Sequence, residues 1–211
     1  MVTQTGICNS ALAKVGQGPI ASIDQDTRAA QIIKSIFDLI QDEVMTSHPW
    51  NFAIKRVKLI ATATTPTFEY QHEFDVPNDC LRVLSVNDDC ADWFGWRSGA
   101  GNWGGNQWVV EGKKILCDDS EAWVRYIFRN VDYNSWSSPF AEVMAWRIAM
   151  DIAYALTQSS DREKACAEKY EKTLSLARST DGMEGTLKPL IADEWIDSRW
   201  RFGRSYRRNH W

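Results

Sequence analysis

The hydrophobic period of this chain changes twice, from helical to strand-like and back to helical, and that order limits the folds open to it. A helix over residues 27–47 is predicted, because a helix places residues three and four apart on one face. Asp24 or Asp26 is the expected N-cap, and Pro49 ends the helix because a residue before proline avoids helical geometry. The apolar positions with this spacing are Ala29, Ile32, Ile33, Ile36, Phe37, Ile40 and Val44.

Three further helices are predicted from the same period. A short helix spans residues 3–15 and ends at the Gly-Gln-Gly-Pro run that begins at Gly16. Near the other end of the chain, a helix begins at Pro139, which suits a first turn, and continues to residue 157. Another helix follows to about residue 179, with charges of alternating sign on a solvated face.

Short β-strands are predicted between the two pairs of helices. The runs cover residues 54–62, 68–74 and 81–86, and a hairpin around Gly112 covers residues 109–116. Residues 123–128, Trp-Val-Arg-Tyr-Ile-Phe, are rich in aromatic and β-branched side chains, which strands favour.

The predicted fold class is therefore α+β. Two N-terminal and two C-terminal helices form a layer that resembles a four-helix bundle, with an inserted antiparallel β-sheet domain and an extended C-terminal tail. The predicted boundaries are residues 1–50 for the N-terminal helices, 51–131 for the β domain with a Gly/Trp-rich loop at 88–106, 132–180 for the C-terminal helices, and 181–211 for the tail.

Composition narrows the class of protein. The start of the chain lacks the pattern of a signal peptide, and no apolar run approaches the roughly 18 residues that span a bilayer, so synthesis in a cytosol-like compartment and no membrane partner are expected. The five cysteines include no Cys-x-x-Cys pair and the three histidines are dispersed, which argues against a zinc site. No metal and no cofactor are expected, and the thiols are expected to be reduced and mostly buried, with a bridge between Cys80 and Cys90 as the less favoured alternative.

Charge is distributed unevenly along the chain. Residues 199–211 hold five Arg and no acid, whereas the other 198 residues hold 19 basic and 28 acidic side chains. An acidic body with a basic aromatic tail is not the pattern of a general DNA-binding domain. It favours a body with a docking segment.

The loop at residues 88–106 is the first candidate interaction site. The chain contains eleven Trp, a residue that concentrates in cores and at interfaces. Because the glycines of this loop bring no side chain to fill a core, an interface is the favoured interpretation, and cover for the sheet's own core is the alternative. The predicted contact residues are Trp93, Phe94, Trp96, Trp103 and Trp108.

The tail is the second candidate. Alternation of guanidinium groups and aromatic rings favours docking on an acidic protein surface through Arg–carboxylate pairs. Nucleic-acid contact and a solvated terminus are the alternatives. The predicted docking residues are Arg199, Trp200, Arg201, Phe202, Arg204, Tyr206, Arg207, Arg208 and Trp211.

An enzyme is not favoured. Asp88, Asp89 and Asp92, or Asp118, Asp119 and Glu121, could form a carboxylate pair for glycoside hydrolysis, but acids in polar turns are usually solvated. The chain has no nucleophile elbow, Walker loop or dinucleotide fingerprint. We expect no catalytic residues; a tail-associated glycan-binding or glycan-hydrolysing protein and a nucleic-acid-binding accessory protein are the alternatives.

Three strings resemble the tail tubular protein A family, the head-to-tail adaptors of T7-like short-tailed bacteriophages. The Ala-Leu-Ala-Lys-Val-Gly string from Ala11, followed by Pro19, resembles the opening helix and turn of that family. The string from Ser47 to Phe52 resembles its entry into the sheet. Val124 to Ile127, followed by Asp132 and Tyr133, resembles its last strand and third helix.

The resemblance implies a structural virion protein with no enzymatic activity. By resemblance, twelve copies form a ring between the portal protein and the tail nozzle protein, with the sheet region toward the nozzle. Double-stranded DNA would pass through the lumen without specific binding. The expected location is the portal-proximal part of the virion tail.

Overall fold

The computed structural model describes residues 2–87 and 108–184, and over these residues the fold is α+β, as predicted. Two 3₁₀ turns, Asn51–Ala53 and Tyr133–Ser135, lie where the chain passes between the helices and the strands. The helices are α1 (Gln4–Lys14), α2 (Arg28–Thr46), α3 (Ser138–Thr157) and α4 (Ser160–Met183), and the strands are β1 (Ile54–Ile60), β2 (His72–Asp75), β3 (Cys80–Val86), β4 (Trp108–Glu111), β5 (Lys114–Cys117) and β6 (Glu121–Phe128).

Hydroxyl side chains cap three of the four helices. Thr27 caps α2 by accepting a hydrogen bond from the backbone N–H of Ala30, so the predicted cap at Asp24 or Asp26 is wrong. Those two carboxylates have other partners: Asp24 pairs with Lys34 at 2.8 Å, and Asp26 accepts a 2.6 Å hydrogen bond from Gln31. Thr3 and Ser137 cap α1 and α3 in the same way as Thr27.

Helix α3 is the centre of the helical layer, since it contacts each of the other three helices. Because α3 packs against three helices, it needs apolar side chains on more than one side. Its buried residues accordingly extend from Phe140 to Ala153. Burial of this face stabilises the layer by roughly 1.5–3 kcal/mol per large side chain removed from water. The core residues that α3 contributes are Phe140, Val143, Met144, Ala145, Ile148, Ala149, Ile152 and Ala153.

The strands form two antiparallel three-stranded sheets that pack face to face. Sheet A has the order β1-β6-β3 and sheet B the order β2-β5-β4. Strands expose alternate side chains on alternate faces, and the inward-facing residues of both sheets form one apolar cluster. That cluster has Phe74, Val86, Ile115, Cys117, Ala122, Val124 and Tyr126 at its centre, with Val57, Leu59, Val83 and Trp108 packed against it.

The predicted hairpin around Gly112 is present, and its loop has only two residues. Glu111 pairs with Lys114, and Gly112 and Lys113 both have positive φ, as a type I′ turn requires. The predicted strand over residues 68–74 is wrong in its first half, because Glu69 has a φ of 71° and β2 begins only at His72.

A buried amide joins the helical layer to the β-sandwich. The Asn130 side chain donates to the carbonyl of Phe52 at 3.1 Å and to Ser135 Oγ at 2.7 Å, and it accepts from the backbone N–H of Asp132. Its backbone carbonyl accepts from Gln41 Nε2 on α2 at 3.1 Å. Because Asn130 lies two residues after the end of β6, these bonds fix the sheet against the helices.

Candidate interaction surfaces

The outward face of sheet A carries basic and apolar side chains. Val57 and Val124 point inward, so their neighbours in β1 and β6 point outward. Near the helices this face is covered, as the burial of Ile127 in the helical core shows. Further out it is open, and we call this part the basic face: Arg56, Lys58 and Ile60 of β1 with Glu121, Trp123 and Arg125 of β6.

Two features of the basic face are unusual for a surface exposed only to water. Trp123 is 53% exposed and Ile60 is 82% exposed. Arg56 lies directly opposite Arg125 in the strand register, so two guanidinium groups share this face. Lys58 lies 5.0 Å from the centre of the Trp123 ring and pairs with Glu121 at 2.7 Å.

The outward face of sheet B has the opposite charge. Phe74 and Ile115 point inward, so alternation places their neighbours on the outside. Lys114 is the only base on this surface and pairs with both Glu73 at 2.8 Å and Asp75 at 2.7 Å. We call this surface the acidic face: Glu73 and Asp75 of β2, Val109 and Glu111 of β4, and Lys114 and Leu116 of β5.

The Gly/Trp-rich segment leaves and rejoins the sandwich at the end remote from the helices. Asn87, the last described residue before it, exchanges two hydrogen bonds with the backbone of Trp123, at 2.7 and 2.8 Å. Trp108 follows the segment as the first residue of β4 and packs half-buried against the inter-sheet core, so it lies in a strand and not in the predicted loop. The predicted contacts Trp93, Phe94, Trp96 and Trp103 lie outside the described residues.

The C-terminal segment leaves from a different place, the junction between helices and sheet. Buried Asp181, near the end of α4, accepts hydrogen bonds from the backbone N–H of Asn51 and from His48 Nε2, at 3.1 and 3.2 Å. Its backbone carbonyl accepts from Asn51 Nδ2 at 2.8 Å. Helix α4 continues one turn beyond the predicted end, and every predicted docking residue of the tail, from Arg199 to Trp211, lies outside the described part of the chain.

The acids considered for catalysis make local structural contacts. Asp118 accepts from the backbone N–H of Gln71 at 3.1 Å, and Asp119 accepts from Asn87 Nδ2 at 2.6 Å. Glu121 pairs with Lys58. Over residues 2–87 and 108–184, no group of three or more His, Cys, Asp or Glu side chains could hold a metal ion, and no helix could cross a membrane. Asp88, Asp89 and Asp92 are not among the described residues.

The cysteines of the described segments are free thiols, as expected. Cys8, Cys117 and Cys166 are buried, whereas Cys80 is half-buried. Burial raises the pKa of Cys8 to about 12 and that of Cys80 to about 11. These thiols are therefore protonated and poor nucleophiles near neutral pH. The bridge considered between Cys80 and Cys90 involves a residue that is not described.

Asp79 ties three elements of sheet A together. Its carboxylate accepts from Lys55 of β1 at 2.7 Å and from the Tyr126 hydroxyl of β6 at 3.1 Å. Its backbone carbonyl accepts from the N–H of Arg129 at 2.8 Å. The hydrogen bond from Lys55, followed by that from Tyr126, lowers the pKa of Asp79 below its ordinary value. Burial, and then the bond to Asp79, raises the pKa of Tyr126 to about 12.

The lowered pKa of Asp79 makes stability depend on acidity. Stability from such a group is present above its unfolded pKa, about 4, and is lost as the pH falls through the folded pKa. We expect the free energy of unfolding of the wild-type chain to fall more steeply below about pH 4 than that of Asp79→Asn. Tyr126→Phe, which removes one of the two bonds, should give an intermediate slope in urea titrations at successive pH values. Equal slopes for all three chains would contradict the assignment.

Comparison with known proteins gives a match to a family model. Residues 7–99 match the family model described as tail tubular protein, and no curated protein matches the chain. The matched range contains most of α1, the whole of α2 and strands β1 to β3, and with them the strings that begin at Ala11 and Ser47. The third string, from Val124, lies beyond it. Residues 7–99 are thus similar to a tail tubular protein domain, and this similarity supports a structural protein of the bacteriophage virion tail.

Proposed function

We propose that this chain is a subunit of the head-to-tail adaptor ring of a T7-like short-tailed bacteriophage. The observation that carries the proposal is the match of residues 7–99 to a tail tubular protein domain. The ring, of about twelve copies by resemblance, joins the portal protein to the tail nozzle protein. It forms part of the channel through which DNA leaves the particle, and the DNA passes without specific binding.

The positions of the two aromatic segments support a subunit with two axial partners. Residues 88–107 leave the sandwich at its outer end, next to Trp123, and residues 185–211 leave from the junction, next to Asn51. Two binding segments that start from separate places on one body can engage different partners at the same time. In this proposal the sandwich end meets the nozzle and the C-terminal segment meets the portal or a neighbouring copy.

Removal of residues 199–211 tests the role of the tail. We expect the shortened chain to fold and remain monomeric, but to be lost from portal-containing particles, because the tail supplies five Arg and four aromatic side chains for docking. The measurement is the amount of this chain that sediments with the portal after co-expression. The melting temperature of the isolated chain shows whether the body still folds.

Two full-length control variants separate the contribution of the Arg charges of the tail from that of its aromatic rings. One replaces the five Arg of residues 199–211 by Ser, and the other replaces Trp200, Phe202, Tyr206 and Trp211 by Ser. Both should weaken incorporation if the tail binds an acidic surface through paired contacts. Full incorporation of the shortened chain would contradict the docking role of the tail. Failure of the full-length chain to assemble with any portal would contradict the adaptor function itself.

A further inference from the structure

The two outward faces of the β-sandwich have complementary charge and apolar content. The basic face carries three bases and one acid, with Ile60 and Trp123 as its apolar residues. The acidic face carries three acids and one base, with Val109 and Leu116. Because the two sheets pack face to face, these surfaces lie on opposite sides of one subunit.

We propose that the basic face of one copy binds the acidic face of the next copy in the ring. This inference rests on the adaptor function proposed above. A contact between two different patches of identical chains is heterologous, and heterologous contacts close into rings when the rotation fits. Opposite sides of the sandwich are where a ring subunit meets its two neighbours, so one pair of faces is used at every interface.

The exposed charges of the two faces are opposite in sign. Arg56 and Lys58 are the exposed bases of the basic face. Asp75 and Glu111 are the exposed carboxylates of the acidic face, and both lie opposite Lys114 in the register of sheet B. Pairs between these bases and carboxylates across the contact would fix its register.

A protein surface fits the basic face better than nucleic acid does. Ile60 offers neither charge nor ring to a phosphate backbone, and Glu121 would repel one. Both residues suit a protein interface, in which an apolar centre is surrounded by polar pairs. Val109 and Leu116 provide the apolar counterpart for Ile60 and Trp123.

The size of the contact indicates when it forms. The three four-residue strands of the acidic face, about 4.8 Å apart and about 13 Å long, offer roughly 200 Å², whereas a stable pair needs about 800 Å² on each partner. The face pairing is thus too small to hold two free copies together. It adds to contacts between copies that the portal has already aligned, and the free chain stays monomeric.

Charge reversal with rescue tests this pairing. Variant one carries Arg56→Glu and Lys58→Glu, variant two carries Asp75→Lys and Glu111→Lys, and variant three carries all four changes. We expect variants one and two each to reduce the chain bound in portal-attached rings about tenfold or more, because like charges then meet at every interface. Variant three should recover ring formation, since both faces are reversed together.

Two controls sharpen the test. An equal mixture of variants one and two should also form rings, because each supplies the face that the other lacks. Arg56→Lys with Lys58→Arg keeps the charge and should assemble like the wild type. The changed side chains lie on the outer faces of the sheets, and unchanged melting temperatures would show that the isolated variants fold.

The possible outcomes separate the proposals. If all variants assemble like the wild type, the face pairing is wrong and the adaptor function stands. If variant one is defective and variant three does not recover ring formation, the face pairing is wrong and the basic face binds another partner. If the wild type, but not variant one, is then retained on double-stranded DNA, that partner is nucleic acid. If the wild type forms no ring on the portal, both the adaptor function and the face pairing fall.

Discussion

Trp50→Ala should lower the free energy of unfolding by about 3–5 kcal/mol, the usual range for removing a large aromatic side chain from a core. Trp50 has no exposed surface. Its ring meets Phe140 edge-on at 5.0 Å, and its Nε1 donates a 3.0 Å hydrogen bond to the carbonyl of Val44. The substitution opens a cavity between α2 and α3 and removes this bond, although Ser47 Oγ still donates to the same carbonyl at 2.8 Å.

Urea unfolding followed by circular dichroism would measure the loss. Trp50→Phe retains most of the ring and loses the hydrogen bond, so it should cost about 1–2 kcal/mol. Trp123→Ala is the matched control for the residue type, because Trp123 is half-exposed and its removal from the free chain should change stability by only about 0.5 kcal/mol. A loss for Trp50→Ala no larger than that for Trp123→Ala would contradict the packing described here.

Asn130→Ala should cost about 2–4 kcal/mol, because it removes three side-chain hydrogen bonds at a site that is 5% exposed. The backbone carbonyl of Phe52 and the N–H of Asp132 lose their partners at the junction between the two halves. The bond from Gln41 goes to the backbone of residue 130 and should persist. The change therefore acts on the joint and leaves the two hydrophobic cores filled.

Asn134→Ala is the control for this second prediction. Asn134 is exposed and lies only four residues away, and its side chain makes one 3.3 Å contact with Asp132. Its loss should stay within about 0.5 kcal/mol. Hydrogen exchange would localise the effect of Asn130→Ala: faster exchange at β1 and β6 near the joint is expected, and unchanged exchange there would contradict the joining role.

The helices were largely predictable from the sequence, because their signal is local. The spacing of Ile33, Phe37, Ile40 and Val44 sets the buried face of α2, and all four are buried. The start of that helix was mispredicted because three residues, Asp24, Asp26 and Thr27, can each act as a cap. Contacts with Lys34 and Gln31, both on α2, hold the two acids elsewhere. The burial of Gln41 depends on a residue 89 positions away and has no local signal.

The strands were predicted less completely, because pairing is not local. Strand β6 and the Gly112 hairpin follow from residue types, whereas Phe68 is 74% exposed beside the left-handed residue Glu69. Nothing in the residue type of Glu69 indicates a positive φ. The division of six strands between two sheets depends on the register, which the sequence does not state.

The charged faces of the sandwich could not be predicted from the sequence either, because they too depend on which strands pair. Lys55, Arg56 and Lys58 are a basic run in the sequence, but alternation sends Lys55 to Asp79 on one side and the other two to the opposite side. The acids that form the acidic face come from strands separated by more than thirty residues in the chain. The alternation of charged and apolar side chains along β1 is the sequence feature that could indicate a charged face. It becomes informative only once the buried side of the sheet is known.

The joint at Asn130 has a mechanical consequence. The groups that meet there are amides, backbone carbonyls and a hydroxyl, and none of them carries a net charge. Neither protonation nor dissolved ions can weaken such bonds by altering or screening a charge. Acid or salt would therefore weaken the neighbouring ion pairs of Arg129 with Asp38 and Asp42 of α2 and leave the bonds of Asn130 in place.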